Sequence, residues 1–280
     1  GDRVTQGLRA AALVAPSSFL ILVLFVALST VLVHSVQGPG GGLTAEHYAN
    51  FLGDGYYVGA LLRSLTIAAY CSIICLALGY PIAYMMNRGS ARFATLATLV
   101  LAIQFFSIYV VKMYGWMLVL GNNGIINRTL MAIGLTDTPV RLMYNQLGVA
   151  IGLIGSGLPL MVFPISAVLQ NVSRRYDEAA LGLGANPWRV LATITIPLSA
   201  PGIVGGLVLV FVFCFTAYLT PALLGGGFFR MIGNVIYEEA VSRFNYAMAA
   251  TAAGITLMTS LVVIFSVNAF SSRVFAPRKR

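Results

Sequence analysis

The sequence predicts an all-α polytopic membrane protein, with six transmembrane helices, both termini in the cytoplasm and a cytoplasmic helix-turn-helix loop. Three observations predict this class. Of 280 residues, 59% are hydrophobic and 9% are charged, and the mean hydropathy is +0.88, whereas soluble domains carry about 25% charged residues. Six apolar runs reach the roughly 20 residues that a helix needs to cross a bilayer. Basic residues are concentrated in alternate connections, as expected when positive charge is retained on the cytoplasmic side.

In chain order the runs are Ala11 to Val33, Leu61 to Met86, Phe93 to about Leu120, Leu147 to Leu169, Ile203 to about Pro221 and Tyr246 to Phe270. Together they take up residues 1–280 as a single transmembrane domain. The first run follows Arg3 and Arg9 as a signal sequence would. It is longer than the apolar core of a signal and lacks a convincing cleavage site, so an uncleaved anchor is expected.

Small residues and prolines mark where these spans pack or break. Gly148 with Gly152, and Gly202 with Gly206, are small-xxx-small pairs suited to close helix contact. Pro81, Pro159 and Pro164 free backbone groups that must find partners or line a cavity. The fourth and fifth spans are therefore the expected passage wall. Polar groups at or near membrane depth, Gln104, Ser107, Lys112, Ser156, Thr216 and Tyr218, are candidates for function, with snorkelling toward the outer surface as the alternative for Lys112.

Six spans place both termini on one side. That side holds Arg3, Arg9, Arg88, Arg92, Arg174, Arg175, Arg189, Arg273, Arg278, Lys279 and Arg280, eleven of the 17 basic residues, against the acids Asp2, Asp177 and Glu178. The opposite side is nearly balanced, so the net charge of +9 is a cytoplasmic excess. Topology thus accounts for the pI near 9.7, and no nucleic-acid partner is expected.

Several chemistries are excluded. With lysine only at positions 112 and 279, no phosphate-binding Gly-x4-Gly-Lys-Ser/Thr loop exists. His34 and His47 lack HExxH spacing or a nucleophile partner. Cys71, Cys75 and Cys214 lie within apolar spans without His or acid neighbours, so neither a disulfide nor a metal site is expected. Nothing here looks catalytic.

The connection after the fourth span, residues 173 to 202, differs from the rest. Ser173 to Leu183 is rich in helix formers, and Gly184 stands where a helix needs a left-handed closing residue. Asn186-Pro187 supplies an N-cap and a first-turn proline. Trp188, Leu191, Ile194 and Thr195 continue at helical spacing until Pro197, which is expected to stop the second helix. A plain hairpin between spans needs only a few residues, so a structured connection of this length reads as a docking surface. A flat interfacial helix or a rigid linker are the alternatives. A DNA-reading pair fits poorly with both ends tethered to spans and with Asp177 and Glu178 facing phosphates.

The segment resembles the EAA loop of ABC importer permeases: Glu-Ala-Ala, three residues, Gly, nine residues, Ile-x-Leu-Pro. Here Glu178-Ala179-Ala180 is followed after three residues by Gly184 and after nine more by Ile194-Thr195-Ile196-Pro197, with Ile196 in place of the usual Leu. The resemblance extends to "LGYPIAY" (Leu78 to Tyr84), "WMLVLGNNGIIN" (Trp116 to Asn127), "GLPLMVFPI" (Gly157 to Ile165), "IPLSAPGIVGG" (Ile196 to Gly206) and "TPALLGG" (Thr220 to Gly226). It is closest to spermidine/putrescine-type permeases. Lys112 stands where that family often has an Arg, which keeps the charge but not the guanidinium fork.

The resemblance implies a permease subunit in the bacterial inner membrane. Two permease chains, the second a homologous heterodimer partner, would form the passage amid membrane lipid. Two ABC ATPase subunits would dock beneath and bind ATP and Mg, leaving no cofactor in this chain, and a periplasmic binding protein would deliver solute. The coupling residues implied are Glu178, Ala179, Ala180, Gly184, Ile194 and Pro197. Candidate passage or solute contacts are Trp116, Lys112, Ser156, Pro159, Tyr218, Glu238 and Glu239, and Asp137 and Tyr237 are further external groups suited to an ammonium. The implied cargo is a polyamine, with opine, iron or sulfate importers sharing parts of the pattern. An ATP-independent channel is the alternative from another class.

Overall fold

The computed structural model describes residues 2–37 and 42–274. Arg278, Lys279 and Arg280, counted in the charge argument, lie outside the described residues. Thirteen α-helices are present among those described, and no β-strand. They are α1 (Asp2–Val36), α2 (Glu46–Gly53), α3 (Gly55–Arg88), α4 (Ala91–Phe106), α5 (Tyr109–Leu120), α6 (Ile125–Ala132), α7 (Gln146–Asn171), α8 (Arg175–Gly182), α9 (Pro187–Val190), α10 (Ile196–Phe215), α11 (Leu219–Leu224), α12 (Ile232–Tyr237) and α13 (Tyr246–Val274). A π-helical turn, Leu191–Thr195, joins α9 to α10, and a second, Glu238–Ser242, follows α12.

Five helices are long and apolar enough to span a membrane, and a sixth span results if the bent pair α4 and α5–α6 counts as one. The fourth and sixth predicted spans coincide with α7 and α13 to within four residues at either end, and the second lies inside α3, which begins six residues earlier.

Two expectations are corrected. The third span is not one helix: it breaks between Phe106 and Tyr109 with a bend of 107°. Ser107 and Ile108 are extended there, with ψ of 142° and 126°. The fifth span does not begin at Ile203, nor does Pro197 stop a helix before it. One helical segment runs from Pro187 to Phe215, 29 residues, with the π turn inside it. Proline has no N–H, so a helix meeting it must forgo one i→i−4 bond. Here the wider turn immediately precedes Pro197, with the Ile196 N–H reaching back to the Leu191 carbonyl, and the chain passes through without breaking. The segment then ends at Phe215, short of the predicted Pro221, which lies in the separate helix α11.

The chain divides into two compact units, Gly1–Val58 with Ile236–Leu257, and Gly59–Val235 with Met258–Arg280. In the first unit, Ser35 Oγ and the Tyr48 hydroxyl are 2.9 Å apart, Thr251 Oγ1 donates to the Ser35 carbonyl, and Phe51 stacks on Tyr57 at 5.3 Å.

The second unit is built around α7 and α10. Leu153, Met161, Ile165 and Leu169 of α7 are wholly buried, as are Val210, Cys214 and Phe215 of α10 and Ile67, Cys71 and Cys75 of α3. Lipid is as apolar as these side chains, so close van der Waals packing rather than exclusion from water holds such helices together. Glycine permits the approach. A Cβ at Gly202 would lie 2.8 Å from the Pro164 carbonyl oxygen and 2.9 Å from Ile165 Cα, and one at Gly206 would lie 2.7 Å from Met161 Sδ.

Gly202→Ala is therefore expected to cost about 1–3 kcal/mol, the usual range for overpacking, because backbone cannot yield as a side chain can. Gly205→Ala, whose Cβ would meet only Pro164 Cβ at 3.9 Å, should be neutral. Thermal unfolding of the two variants in detergent checks this.

Candidate functional site

Loop 173–202 begins where α7 ends, and its first turn is organised by polar side chains. Ser173 Oγ accepts from the Arg175 N–H at 3.3 Å, and Asp177 and Glu178 occupy the first turn of α8, where carboxylates complement the helix dipole. The two acids then diverge. Asp177 is largely buried: Arg88 Nε donates to its Oδ2 at 2.9 Å and Thr195 Oγ1 to its Oδ1 at 3.1 Å. Glu178 is exposed and makes no ion pair among the described residues.

α8 closes with paired hydrogen bonds, Gly184 N–H to the Leu181 carbonyl at 2.9 Å and Ala185 N–H to the Ala180 carbonyl at 3.1 Å. This is the Schellman arrangement, and it needs a left-handed residue at its centre. Gly184 supplies it with φ +82°. Asn186 Oδ1 then accepts from the Trp188 N–H at 3.1 Å, with Pro187 in the first turn of α9. Ala179 is exposed and Ala180 half-buried; beyond the bend, Ile194 is half-buried and Thr195 fully buried.

The outward surface of the bent pair is apolar. Leu183 is 90% and Trp188 77% exposed, and Tyr176 and Leu181 are also exposed. Large side chains left open beside an unpaired carboxylate are what a protein-binding surface requires.

The passage candidates fall into two groups. At the break of the third span, Lys112 Nζ donates to the Gln104 carbonyl at 3.0 Å and stands 5.3 Å from the centre of the Tyr109 ring. Gln104 Nε2 in turn donates to the Gly155 carbonyl at 2.5 Å, the carbonyl that Pro159 four residues later leaves without its N–H. Trp116 packs on the same place: a Cβ at Gly155 would lie 2.5 Å from its ring. The Tyr109 hydroxyl and Thr220 Oγ1 are 2.5 Å apart. Ser156 Oγ is buried without a hydrogen bond of good geometry, although it faces Tyr109. The Tyr218 carbonyl accepts from Asn234 at 3.0 Å.

Glu238 and Glu239 belong to the other unit. Arg243 donates to Glu238 at 3.0 Å and to Glu239 at 2.7 Å, and Tyr57 donates to Glu239 at 2.9 Å. Glu239 is 1% exposed, and its carboxylate is held by the chain itself. Arg243 is pushed to a higher pKa chiefly by Glu239 and then by Glu238. No group of three His, Cys, Asp or Glu side chains suited to a metal exists among the described residues.

Chain 75–276 matches the model of the binding-protein-dependent transport system inner membrane component family. The chain belongs to this family. It is a multi-pass protein of the bacterial inner membrane and a permease component of an ABC importer. The spermidine/putrescine transport system permease protein PotB of Haemophilus influenzae is 31% identical over 222 residues, 79% of this chain and 77% of that protein, and PotB of Escherichia coli K12 is 32% identical over 79% and 80%. A putative 2-aminoethylphosphonate transport system permease protein, PhnU of Salmonella choleraesuis, is 26% identical over 89% of this chain and 87% of its own. Among solved structures, a bacterial alginate ABC transporter in complex with an alginate pentasaccharide-bound periplasmic protein superposes with a TM-score of 0.82 at 18% identity, covering 98% of each chain. At that identity the likeness establishes the fold alone.

Sequence reading gave no structural role to four side chains that the fold ties in: Arg88, Asp177 and Thr195 in one cluster, and Tyr109 against Thr220. Asp177 had a signal, being the sole aspartate between the fourth and fifth spans, with Arg88 closing the second span. Gln104→Leu is expected to leave the Gly155 carbonyl unpaired at a cost of about 1–3 kcal/mol. Comparing its melting temperature in detergent with that of the parent measures the effect.

Proposed function

We propose that this permease lines the solute passage of a binding-protein-dependent importer and couples it, through loop 173–202, to ATP hydrolysis in a separate ATPase subunit. The supporting observation is the division within one dipeptide: Asp177 is tied into the protein and Glu178 is left free among Tyr176, Leu181, Leu183 and Trp188. The loop and both termini face the cytoplasm in this reading. ATP and Mg are bound by the ATPase, a homologous second permease completes the passage, and a periplasmic protein delivers the solute. The exposed Glu178 meets a basic group of the ATPase, and the Schellman bend at Gly184 sets the angle between α8 and the long helical segment that begins at Pro187.

Glu178→Ala and Gly184→Val are expected to lower solute uptake by about tenfold, a loss of roughly 1.4 kcal/mol of coupling, while the protein remains inserted. Gly184→Val acts through its backbone, since φ +82° suits valine poorly. Normal uptake and normal stimulated hydrolysis in both variants, measured in membrane vesicles, would exclude the coupling role.

For the cargo we propose a polyamine, on the strength of the spermidine/putrescine relatives. A second reading is favoured by Lys112. A fixed ammonium at the break of the third span repels a cation and suits a solute that carries an acidic group beside its amine, the chemistry named for the 2-aminoethylphosphonate relative. Mass spectrometry of the solute retained by the partner binding protein separates them: spermidine or putrescine supports the first, an aminophosphonate or other zwitterion the second.

A further inference from the structure

The α8–α9 segment is joined covalently to α7 and, through the π turn, to α10, and nothing in the chain's connectivity carries its displacement to α3. The side chains do. Arg88, the last residue of α3, reaches Asp177 through Nε at 2.9 Å and the Val172 carbonyl through Nη2 at 3.1 Å. Asp177 is held from its other oxygen by Thr195 of the π turn. One residue earlier, the Asn87 carbonyl accepts from Arg174, and Asn87 Nδ2 donates to Ser166 Oγ of α7 at 2.9 Å. The Arg88 and Asp177 side chains are only 11% and 14% exposed, so this pair is drier than the surface ion pairs that contribute little. Breaking such a pair from one side leaves a charge short of partners.

We infer that Arg88 and Asp177 form a latch that makes the loop and the end of α3 one moving body, with Thr195 fixing the orientation of the carboxylate. The inference rests on the coupling role proposed above and extends it to a third helix. Glu178 takes up the displacement and Asp177, its neighbour, hands it on. These are positioning residues: neither is placed against solute or nucleotide.

The test uses the importer assembled in proteoliposomes with its ATPase, second permease and binding protein, and reads two quantities: co-purification of the ATPase, and stimulation of ATP hydrolysis by the binding protein. Arg88→Gln and Asp177→Asn are expected to keep the ATPase bound at the parent level and to lose stimulation by about tenfold, within the span of ordinary coupling energies. Because each acts through the other, the double variant should be no worse than either single. Full stimulation in both singles, additive losses in the double, or loss of the ATPase from the complex would each overturn the latch.

Should a charge-removing variant fail to insert, Thr195→Val decides in its place, since it removes one hydroxyl at nearly constant volume. A few-fold loss of stimulation supports the latch and no loss overturns it. Glu178→Ala run alongside separates the two proposals. If it uncouples while the latch variants behave as the parent, the latch alone falls; if all are silent, the coupling role falls with it.

Discussion

Hydrocarbon offers no donor and no acceptor, so every backbone group released by a break or a proline must be met from within the chain. Much of the second unit follows from that constraint. Pro159 releases the Gly155 carbonyl, and Gln104 takes it. The break after Phe106 releases the Gln104 carbonyl, and Lys112 takes it. The Ser107 hydroxyl returns to the carbonyl of Ile103. The result is a short relay in which a kinked α7 and a broken third span each satisfy what the other leaves open, with Trp116 packed over the junction. Polar residues that look like solute contacts in a string of letters are, in space, first of all the means by which the backbone can be irregular there.

The same economy of charge marks the loop. Four residues of charged type, Arg174, Arg175, Asp177 and Glu178, lie within one turn or so of each other there, yet their surroundings differ. Arg174 and Asp177 reach back to the last two residues of α3. Glu178 is exposed, in a segment whose Tyr176, Leu181, Leu183 and Trp188 are exposed too. Adjacent positions on a helix are separated by about 100°, which lets two neighbouring carboxylates meet different surroundings.

How much of this could be read beforehand depended on how local the cause was. The α8 closure at Gly184 and the α9 start at Asn186-Pro187 were legible because a left-handed residue and a cap act within four positions of themselves. The bulk of α3, α7 and α13 was legible because length and apolarity suffice. Pro197 misled: its missing N–H was assigned a stop, whereas a wider turn ahead of it absorbs the defect. The break at Ser107 was hidden because the run stays mostly apolar on both sides of it, and only the polar trio Gln104, Ser107 and Lys112 signalled it. The Arg88–Asp177 pair spans 89 positions, and no local pattern announces a contact of that separation.

Because the π turn keeps α9 and α10 continuous, the 29 residues from Pro187 to Phe215 form a rod of about 43 Å at 1.5 Å per residue. At Gly202 and Gly206, near the middle, it passes so close to α7 that an added Cβ would fall within 3 Å of it. From Trp188 to Gly202 is about 21 Å, and from Gly202 to Phe215 about 20 Å, on the same helical rise. A side chain added at either glycine would therefore push on the helix near its midpoint rather than at an end. The placement of two glycines thus sets the close approach to α7 about equally far from Trp188 and from Phe215.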